Sequence, residues 1–169
     1  MDYALSDADI RTLLGSGIKI TTYPDLDSVS SIDELFDRKG RAILFFPQTD
    51  EQTGHWTCMI KKGWQIEFFD PYGEPPDYQK DTIPNALLEQ MKMKEPKLAE
   101  LLLSSPYKIL YNKEQIQELS DDVQTCGRHC VARLLFAHLP VKRYRQHIRR
   151  SGLSPDEFVL KLTRQELGR

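Results

Sequence analysis

Hydrophobic and polar residues along the chain follow two periods, one typical of strands and one typical of helices. Short apolar or alternating runs predict four strands, at Arg41–Phe46, Gly54–Ile60, Trp64–Phe69 and Tyr107–Tyr111. A tight turn at Lys62-Gly63 joins the second and third of these strands, and Asp70-Pro71-Tyr72-Gly73 ends the third as another turn. The middle of the chain is therefore expected to contain an antiparallel pair of strands.

Helical spacing and capping residues mark much of the remaining chain. The predicted helices are Ser6–Leu14, Ser31–Phe36, Asn85–Leu103 with an interruption near Pro96, Cys126–Leu139, and two short helices within Pro140–Arg169. The helix that starts at Cys126 is expected to be buried, because apolar residues recur at helical spacing along it. These elements predict one α+β domain over residues 1–169, with a central mixed, partly antiparallel sheet flanked by helices.

Composition and charge are those of an ordinary globular domain. Of the 169 residues, 40% are hydrophobic and 28% are charged, and the formal net charge is −2. Charge therefore gives no general signal for nucleic acid or a membrane surface, and no apolar run approaches the ~20 residues of a membrane span. Residues 1–10 carry Asp2, Asp7 and Asp9, which is the wrong chemistry for a signal peptide, so secretion is not expected.

The three cysteines, Cys58, Cys126 and Cys130, argue against a disulfide framework, because their number is odd and no secretion signal accompanies them. A reducing compartment would keep their thiols available for chemistry. Cys126, His129 and Cys130 lie close in sequence, but their spacing does not match a four-ligand zinc site. We therefore expect no metal and no other cofactor.

Cys126 has the sequence surroundings of a nucleophile. A cysteine attacks as its thiolate, which a helix N-terminus and a neighbouring imidazole both favour. The predicted helix begins at Cys126, and Gly127 leaves space beside the sulfur. His55, on a predicted strand, is the candidate base, and Asp70, at the end of the next strand, is the candidate residue that orients it.

The predicted hairpin brings this base and this carboxylate together. A two-residue turn at Lys62-Gly63 pairs Lys61 with Trp64, and the same register sets His55 directly opposite Asp70. Residues opposed in this way point to the same face of a sheet, within reach of contact.

The tetrahedral oxyanion also needs hydrogen-bond donors. The backbone amide of Cys126 is one candidate, and an upstream glutamine side chain is the other. Three glutamines compete for that second role: Gln115, Gln117 and Gln124.

In their order along the chain, these motifs resemble a superfamily of cysteine proteases. They are Gly54-His55-Trp56, Phe69-Asp70-Pro71-Tyr72-Gly73, Gln117, and Thr125-Cys126-Gly127-Arg128-His129-Cys130. This order is similar to that of the adenovirus maturation protease and the SUMO-specific proteases. The Thr-Cys-Gly-Arg-His form, preceded by Tyr111-Asn112, looks closest to the maturation proteases of virophages, polinton-like elements and large DNA viruses. The resemblance covers about Arg41–Leu139 and implies their fold, with the catalytic cysteine at the N-terminus of a buried helix.

The resemblance also implies roles for single residues. His55, Asp70 and Cys126 match the catalytic triad, and Trp56 matches the aromatic residue that packs beside the catalytic histidine in the substrate cleft. Gln117, nine positions before Cys126, matches the oxyanion glutamine of the viral subgroup.

We therefore expect a cysteine endopeptidase of the viral type, which processes capsid or other virion precursor proteins during maturation. Two alternatives stay open: a protease or isopeptidase for ubiquitin-like modifiers, and a catalytically silent scaffold that binds capsid protein. The expected setting is the virion and the host-cell cytoplasm, without membrane attachment, and the expected state is a monomer. The basic run Lys142–Arg150 predicts a solvated helix face or, because the adenovirus relative uses DNA as an activity enhancer, a DNA contact.

Overall fold

A five-stranded sheet forms the centre of the structure, a computed structural model that describes residues 4–48, 54–78, 83–91, 93–117 and 125–168. Its strands, in spatial order, are β1 (Lys19–Thr22), β2 (Arg41–Pro47), β3 (Gly54–Lys62), β4 (Gln65–Phe69) and β5 (Lys108–Tyr111). Strands β2, β3 and β4 pair antiparallel, whereas the outer pairs β1–β2 and β4–β5 are parallel. The predicted mixed, partly antiparallel sheet is confirmed, and β1 is a strand that the hydrophobic pattern did not predict.

Six α-helices flank the sheet within the described residues. They are α1 (Asp7–Leu14), α2 (Asn85–Gln90), α3 (Lys97–Leu103), α4 (Cys126–Leu135), α5 (Val141–Arg150) and α6 (Pro155–Leu167). Two 3₁₀ helices, Tyr23–Ser28 and Ile32–Leu35, complete the fold. The α+β class is therefore confirmed, and α4 starts at Cys126 as predicted, although it ends at Leu135 rather than at the predicted Leu139.

The sheet separates two hydrophobic cores, because successive side chains of a strand point to opposite faces. One core packs against α1, α4, α5 and α6, and it includes Ile43, Phe45, Cys58, Ile60 and Phe69. The other packs against the 3₁₀ helices, α2 and α3, and it includes Ala42, Leu44, Phe46, Met59 and Phe68. Helix α4 thus lies inside the first core, packed on β3 and α6.

A buried ion pair fixes α4 to β4. Arg133 donates to both carboxylate oxygens of Glu67, with N–O distances of 2.9 and 3.0 Å. Its remaining donors reach the carbonyl oxygens of Phe136 at 2.9 Å and Leu139 at 2.8 Å, just beyond the end of the helix. Because its partners are fixed in the sheet and in the chain beyond the helix, Arg133 sets the position of α4 over the sheet.

The hairpin between β3 and β4 turns one residue later than predicted. Lys62 pairs with Gln65, so the two turn residues are Gly63 and Trp64. Gly63 has a φ of +55°, and a glycine with positive φ at the first turn position is the type II′ pattern, which suits the twist of a hairpin. The turn is therefore set by the residue that tolerates the left-handed conformation.

This later turn changes the residue that faces His55. Continued past the end of β4, the observed register sets Asp70 opposite Thr57 and Tyr72 opposite His55. The prediction that His55 lies directly opposite Asp70 was wrong. The two side chains still share a face, because the shift is two positions and the side-chain period of a strand is also two.

Candidate active site

The three residues predicted as a triad lie together in the structure. His55 is the second residue of β3, Asp70 directly follows β4, and Cys126 is the first residue of α4. The Nε2 atom of His55 lies 2.8 Å from Oδ1 of Asp70, and the same imidazole lies near enough to Cys126 to lower the pKa of its thiol. Since Asp70 occupies Nε2, the nitrogen left for the sulfur is Nδ1. All three side chains are buried.

Electrostatics in this buried cluster favour charge separation between sulfur and imidazole. Burial raises the pKa of the Cys126 thiol, but the hydrogen bond and charge of His55 outweigh it, so the net pKa is lowered. Burial likewise lowers the pKa of His55, but its hydrogen bonds with Asp70 and Cys126 outweigh it and raise the pKa well above the usual value. These opposite shifts favour a thiolate–imidazolium pair, which is the reactive form of a catalytic cysteine.

Backbone amides add to the stabilisation of the sulfur. The polar backbone N–H groups of Trp56 and Gly127 also lower the pKa of the Cys126 thiol, by less than His55 does. Gly127 lies in the first turn of α4, where amide groups have no carbonyl partner within the helix. The position of Cys126 at the N-terminus of α4 therefore places its sulfur near amide groups and near the positive end of the helix dipole, both of which favour the thiolate.

Asn112 and Tyr72 hold Asp70 in place. The backbone N–H of Asp70 donates to Oδ1 of Asn112 at 3.0 Å, and Nδ2 of Asn112 donates to the Asp70 carbonyl at 2.7 Å. The backbone N–H of Tyr72 donates to Oδ1 of Asp70 at 2.8 Å, which is the oxygen that also contacts His55. Asn112 thus fixes the backbone of Asp70. The backbone N–H of Tyr72, in the turn that follows, fixes the carboxylate that contacts His55.

The aromatic ring of Tyr72 covers the imidazole of His55. The two ring centroids are 4.7 Å apart, and the planes are inclined by 12°. An electron-rich ring face in this position stabilises a cationic imidazolium. Sequence reasoning did not assign a role to Tyr72 or to Asn112, although both stand in the motifs that carry the family resemblance.

The turn after β4 packs closely on the segment that carries Gln117. Gly73 has a φ of +76°, and a Cβ there would lie 2.6 Å from the carbonyl carbon of Glu114. The carbonyl oxygen of Pro71 accepts from the backbone N–H groups of Ile116 at 2.7 Å and Gln117 at 2.9 Å. A side chain at position 73 would push these two backbones apart.

Among the three glutamines proposed for the oxyanion, Gln117 is buried, with 1% of its surface exposed, and is docked next to the Asp70 turn. Gln115 uses its side-chain Nε2 to donate to the carbonyl of Gln117 at 2.8 Å. Gln124 lies outside the described residues. The role of Gln117 at the oxyanion stays a prediction, and its backbone is fixed beside the Asp70 turn.

Trp56 packs beside the start of α4. A Cβ placed on Gly127 would lie 3.2 Å from Cδ1 of Trp56 and 3.5 Å from Cβ of Leu5. The indole also packs on the ring of Phe45, with centroids 4.6 Å apart, and only 9% of Trp56 is exposed. Trp56, predicted to lie in the substrate cleft, is thus a buried residue of the core next to the start of α4.

The sequence did not predict a second polar cluster, which adjoins Cys126 through the preceding residue, Thr125. Asp156, in the first turn of α6, accepts from the hydroxyl of Thr125 at 2.5 Å and contacts Nε2 of His129 at 2.8 Å. The sequence indicated only that this segment begins a helix, because acidic residues are common in a first helical turn. Nothing in the spacing of residues 125 and 156 indicates that they touch.

Helix α5 carries the basic run. Its exposed cations include Lys142, Arg143, Arg149 and Arg150, while Arg145 forms an ion pair with Glu114. A cleft of about 360 Å³ lies between this helix and the loop after β5. The described part of the chain holds no group of three or more His, Cys, Asp or Glu side chains placed to bind a metal ion.

Fold and site together define an α+β domain that carries a buried Cys–His–Asp arrangement at the start of a core helix. No protein-family model matches the chain. The chain is 35% identical, over 165 residues, to the Sputnik virophage protein named "Uncharacterized protein V9", and the match covers 95% of this chain and 94% of the relative. The chain belongs to the family of that virophage protein.

This relation confirms the virophage part of the family prediction. It also gives the family a viral context, since one member is encoded by a virophage. None of the helices in the described ranges is both long enough and apolar enough to span a lipid bilayer.

Proposed function

We propose that the protein is a cysteine endopeptidase. Cys126 attacks the carbonyl carbon of the scissile peptide bond, and its sulfur forms a thioester as the C–N bond breaks. His55 gives its proton to the leaving amine, then takes one from the water that hydrolyses the thioester. Asp70 orients His55 throughout, and Gln117, together with the backbone amide of Cys126, stabilises the oxyanion.

The observation that carries the proposal is the mutual polarisation of Cys126 and His55. A buried thiol without a cationic partner has a raised pKa, as burial and the neighbouring Cys58 produce for Cys130, one turn further along the same helix. Cys126 is also buried, yet its pKa is lowered because His55 and the backbone amides stabilise the thiolate. The contrast between two cysteines on one helix favours a nucleophile over a structural thiol.

The proposed substrates are capsid or other virion precursor proteins. The viral origin of a family member supports this substrate class over ubiquitin-like modifiers, for which the same chemistry would serve. We propose that the protein acts as a monomer at the site of virion assembly in the host cytoplasm and within the virion. Trp56, fixed beside Cys126, would restrict the residue before the cleaved bond to a small one.

The direct test is co-expression with a candidate capsid precursor, followed by mass measurement of the fragments. The parent chain and a Cys130→Ala variant are expected to cut the precursor, while Cys126→Ala is expected to leave it intact. Cys130→Ala is the matched control, because it removes a buried thiol from the same helix. Processing that survives Cys126→Ala would refute the proposal, and cleavage of modifier conjugates alone would favour the isopeptidase.

A catalytically silent scaffold makes a different prediction about thiol reactivity. In an active enzyme, iodoacetamide modifies Cys126 quickly at neutral pH, and His55→Asn slows that reaction strongly because the thiolate loses its partner. A silent scaffold would show slow modification that does not depend on His55. Peptide mapping assigns the label, with buried Cys58 and Cys130 as internal references.

A DNA contact through Lys142–Arg150 is a secondary proposal. It is supported by the exposed cations of α5 and by the cleft that they border. Neutralising Lys142 and Arg143 together should weaken binding to a random duplex, and the weakening should decrease as salt concentration rises. Equal binding by parent and variant at low salt would contradict the proposal.

A further inference from the structure

The cleft between α5 and the loop after β5 carries a cluster of basic side chains. Both segments contribute to its walls, and the cations among the lining residues are Lys113, Lys142, Arg145 and Arg149. Among the described residues, the one carboxylate in the lining belongs to Glu114, which forms an ion pair with Arg145. Positive charge is therefore concentrated around a cavity of about 360 Å³, in a chain whose formal net charge is −2.

Helical spacing places three of these cations on one face of α5. Lys142, Arg145 and Arg149 are separated by three and then four positions, which brings their side chains together on the helix surface. Two other exposed cations of the helix, Arg143 and Arg150, do not line the cleft. Since each residue advances about 100° around the axis, these two lie roughly a quarter-turn from Lys142. The basic run is thus divided between a face that borders the cleft and a face that does not.

The protein compensates only part of the positive charge in the cleft. Within the described ranges, Lys113, Lys142 and Arg149 have no carboxylate at ion-pair distance. Burial and the charge of the nearby Arg149 both lower the pKa of the Arg145 guanidinium, which shows that the two cations repel each other. The N-terminus of α5, which no side chain caps, adds the positive end of a helix dipole to the same wall. The cleft therefore favours an anion that reaches several cations at once.

The type of the cations and the size of the cleft indicate the class of this anion. Arg145 and Arg149 present forked donors that match the oxygens of a phosphate group, and lysine binds phosphate as a point charge. A cavity of about 360 Å³ is at the lower end of the ~300–1,000 Å³ range of small-molecule sites, so it suits a compact ligand rather than a duplex. The ring of Tyr111, exposed in the lining, offers a flat surface on which a nucleoside base can stack.

We propose that this cleft binds a compact anion with two or more phosphate groups, such as an inorganic polyphosphate or a nucleoside triphosphate. The phosphates contact the cations of α5 on one wall and Lys113 on the other. The inference does not rest on the chemistry of Cys126 and so goes beyond the proposed function. It also differs from the DNA contact, which would use the whole basic run, including Arg143 and Arg150.

The test is isothermal titration calorimetry of the full chain with inorganic tripolyphosphate, at about 0.15 M salt, where charges more than about 8 Å apart are largely screened. The parent is expected to bind one tripolyphosphate per chain. Lys142→Gln and Arg149→Gln should each raise the Kd by about tenfold, because each removes a charge-assisted contact. Both side chains are exposed, so the substitutions leave the core intact. A parent chain that does not bind tripolyphosphate would overturn the inference.

Arg143→Gln and Arg150→Gln are the matched controls. They remove the same charge from the same helix, but from exposed positions outside the cleft. Each should change the Kd by less than about twofold, because its charge is screened from the bound anion. Losses as large as those of the two cleft variants would reveal a general attraction to a basic surface, and the proposed site would then be wrong.

Two further ligands test the class of the anion and the source of its phosphates. Citrate, a compact anion with carboxylates in place of phosphates, should bind at least about tenfold more weakly than tripolyphosphate, and equal binding would overturn the assignment to phosphate. A nucleoside triphosphate that binds more tightly than tripolyphosphate, with the gain lost in Tyr111→Ala, would support a nucleotide as the ligand. Equal affinities of the two would support inorganic polyphosphate in the same site.

Discussion

Replacing Gly73 by alanine should damage the site through a single added methyl group. Gly73 has a φ of +76°, and its missing Cβ would lie 2.6 Å from the Glu114 carbonyl carbon, 2.8 Å from the Gln115 nitrogen and 2.9 Å from the Glu114 oxygen. Ordinary contact begins at 3.4 Å, so the two backbones must separate by up to 0.8 Å. The atoms in the way belong to backbone, which cannot move aside as a flexible side chain can.

Gly152 provides a control with the same backbone conformation. Its φ is +77°, and no atom lies within 4 Å of the Cβ that alanine would add. Both substitutions carry the left-handed penalty of about 1–2 kcal/mol, partly offset by the lower entropy of the unfolded alanine chain, about 0.4–1 kcal/mol. The difference between Gly73→Ala and Gly152→Ala therefore isolates the steric overlap, which we expect to cost about 1–3 kcal/mol.

The assay combines urea unfolding with the rate of Cys126 modification at neutral pH. For a domain of this size, each kcal/mol also corresponds to about 2–4 °C in Tm. In Gly152→Ala, Cys126 should be modified at the parent rate. In Gly73→Ala, its modification should be about tenfold slower or more, because a shift of about 1 Å within a site can lower the rate of reaction about 100-fold. Equal stability and equal reactivity of the two variants would refute the assignment of Gly73 as the contact that positions the Asp70 turn.

Three further outcomes are expected. Asp70→Asn should slow modification of the Cys126 thiol by at least about tenfold at neutral pH, since the His55 imidazolium loses its anionic partner. An unchanged rate in stopped-flow measurements would contradict the role of Asp70. Arg133→Met should destabilise the fold by about 3–5 kcal/mol, because Glu67 is left buried without its partner. In urea unfolding, the double variant with Glu67→Leu should recover part of that loss. If it recovers none, the broken ion pair is not the cause of the destabilisation. Burial lowers the pKa of His129 below its unfolded value, so its contribution to stability is present above pH ~6.5 and is lost as pH falls through the folded pKa. The variant His129→Gln should therefore lose less stability below pH ~6.5 than the parent does. An unchanged dependence of the unfolding free energy on pH would refute this.

Local patterns in the sequence were sufficient to predict most of the central elements. Apolar runs and alternation predicted β2, β3, β4 and β5 to within two residues at each end. The helical spacing after Cys126 predicted α4 and its first residue, which is the feature that gives the thiol its helix N-terminus. The chemistry and the order of the residues were also enough to nominate His55, Asp70 and Cys126, which the structure brings together.

Other features depended on contacts between residues far apart in the chain. Strand β1 is only four residues long and pairs in parallel with β2, so little in its own sequence marks it. The register of the hairpin was decided by the turn conformation at Gly63, which moved the turn by one residue. A single sequence carries the propensity for a turn but not the choice between two adjacent turns of similar propensity.

The sequence by itself therefore determined which residues are available for the chemistry and on which elements they lie. Only the tertiary structure decided which groups form hydrogen bonds with these residues and their neighbours. Asn112 accepts from the backbone of Asp70, which is 42 positions away in sequence, and Asp156 accepts from Thr125, which is 31 positions away. The physical reason is that periodicity and capping act over a few residues, whereas these hydrogen bonds arise only when packing of the cores brings distant segments together. The shifts in the pKa values of Cys126 and His55 have the same origin, because each depends on burial and on the charge of the other.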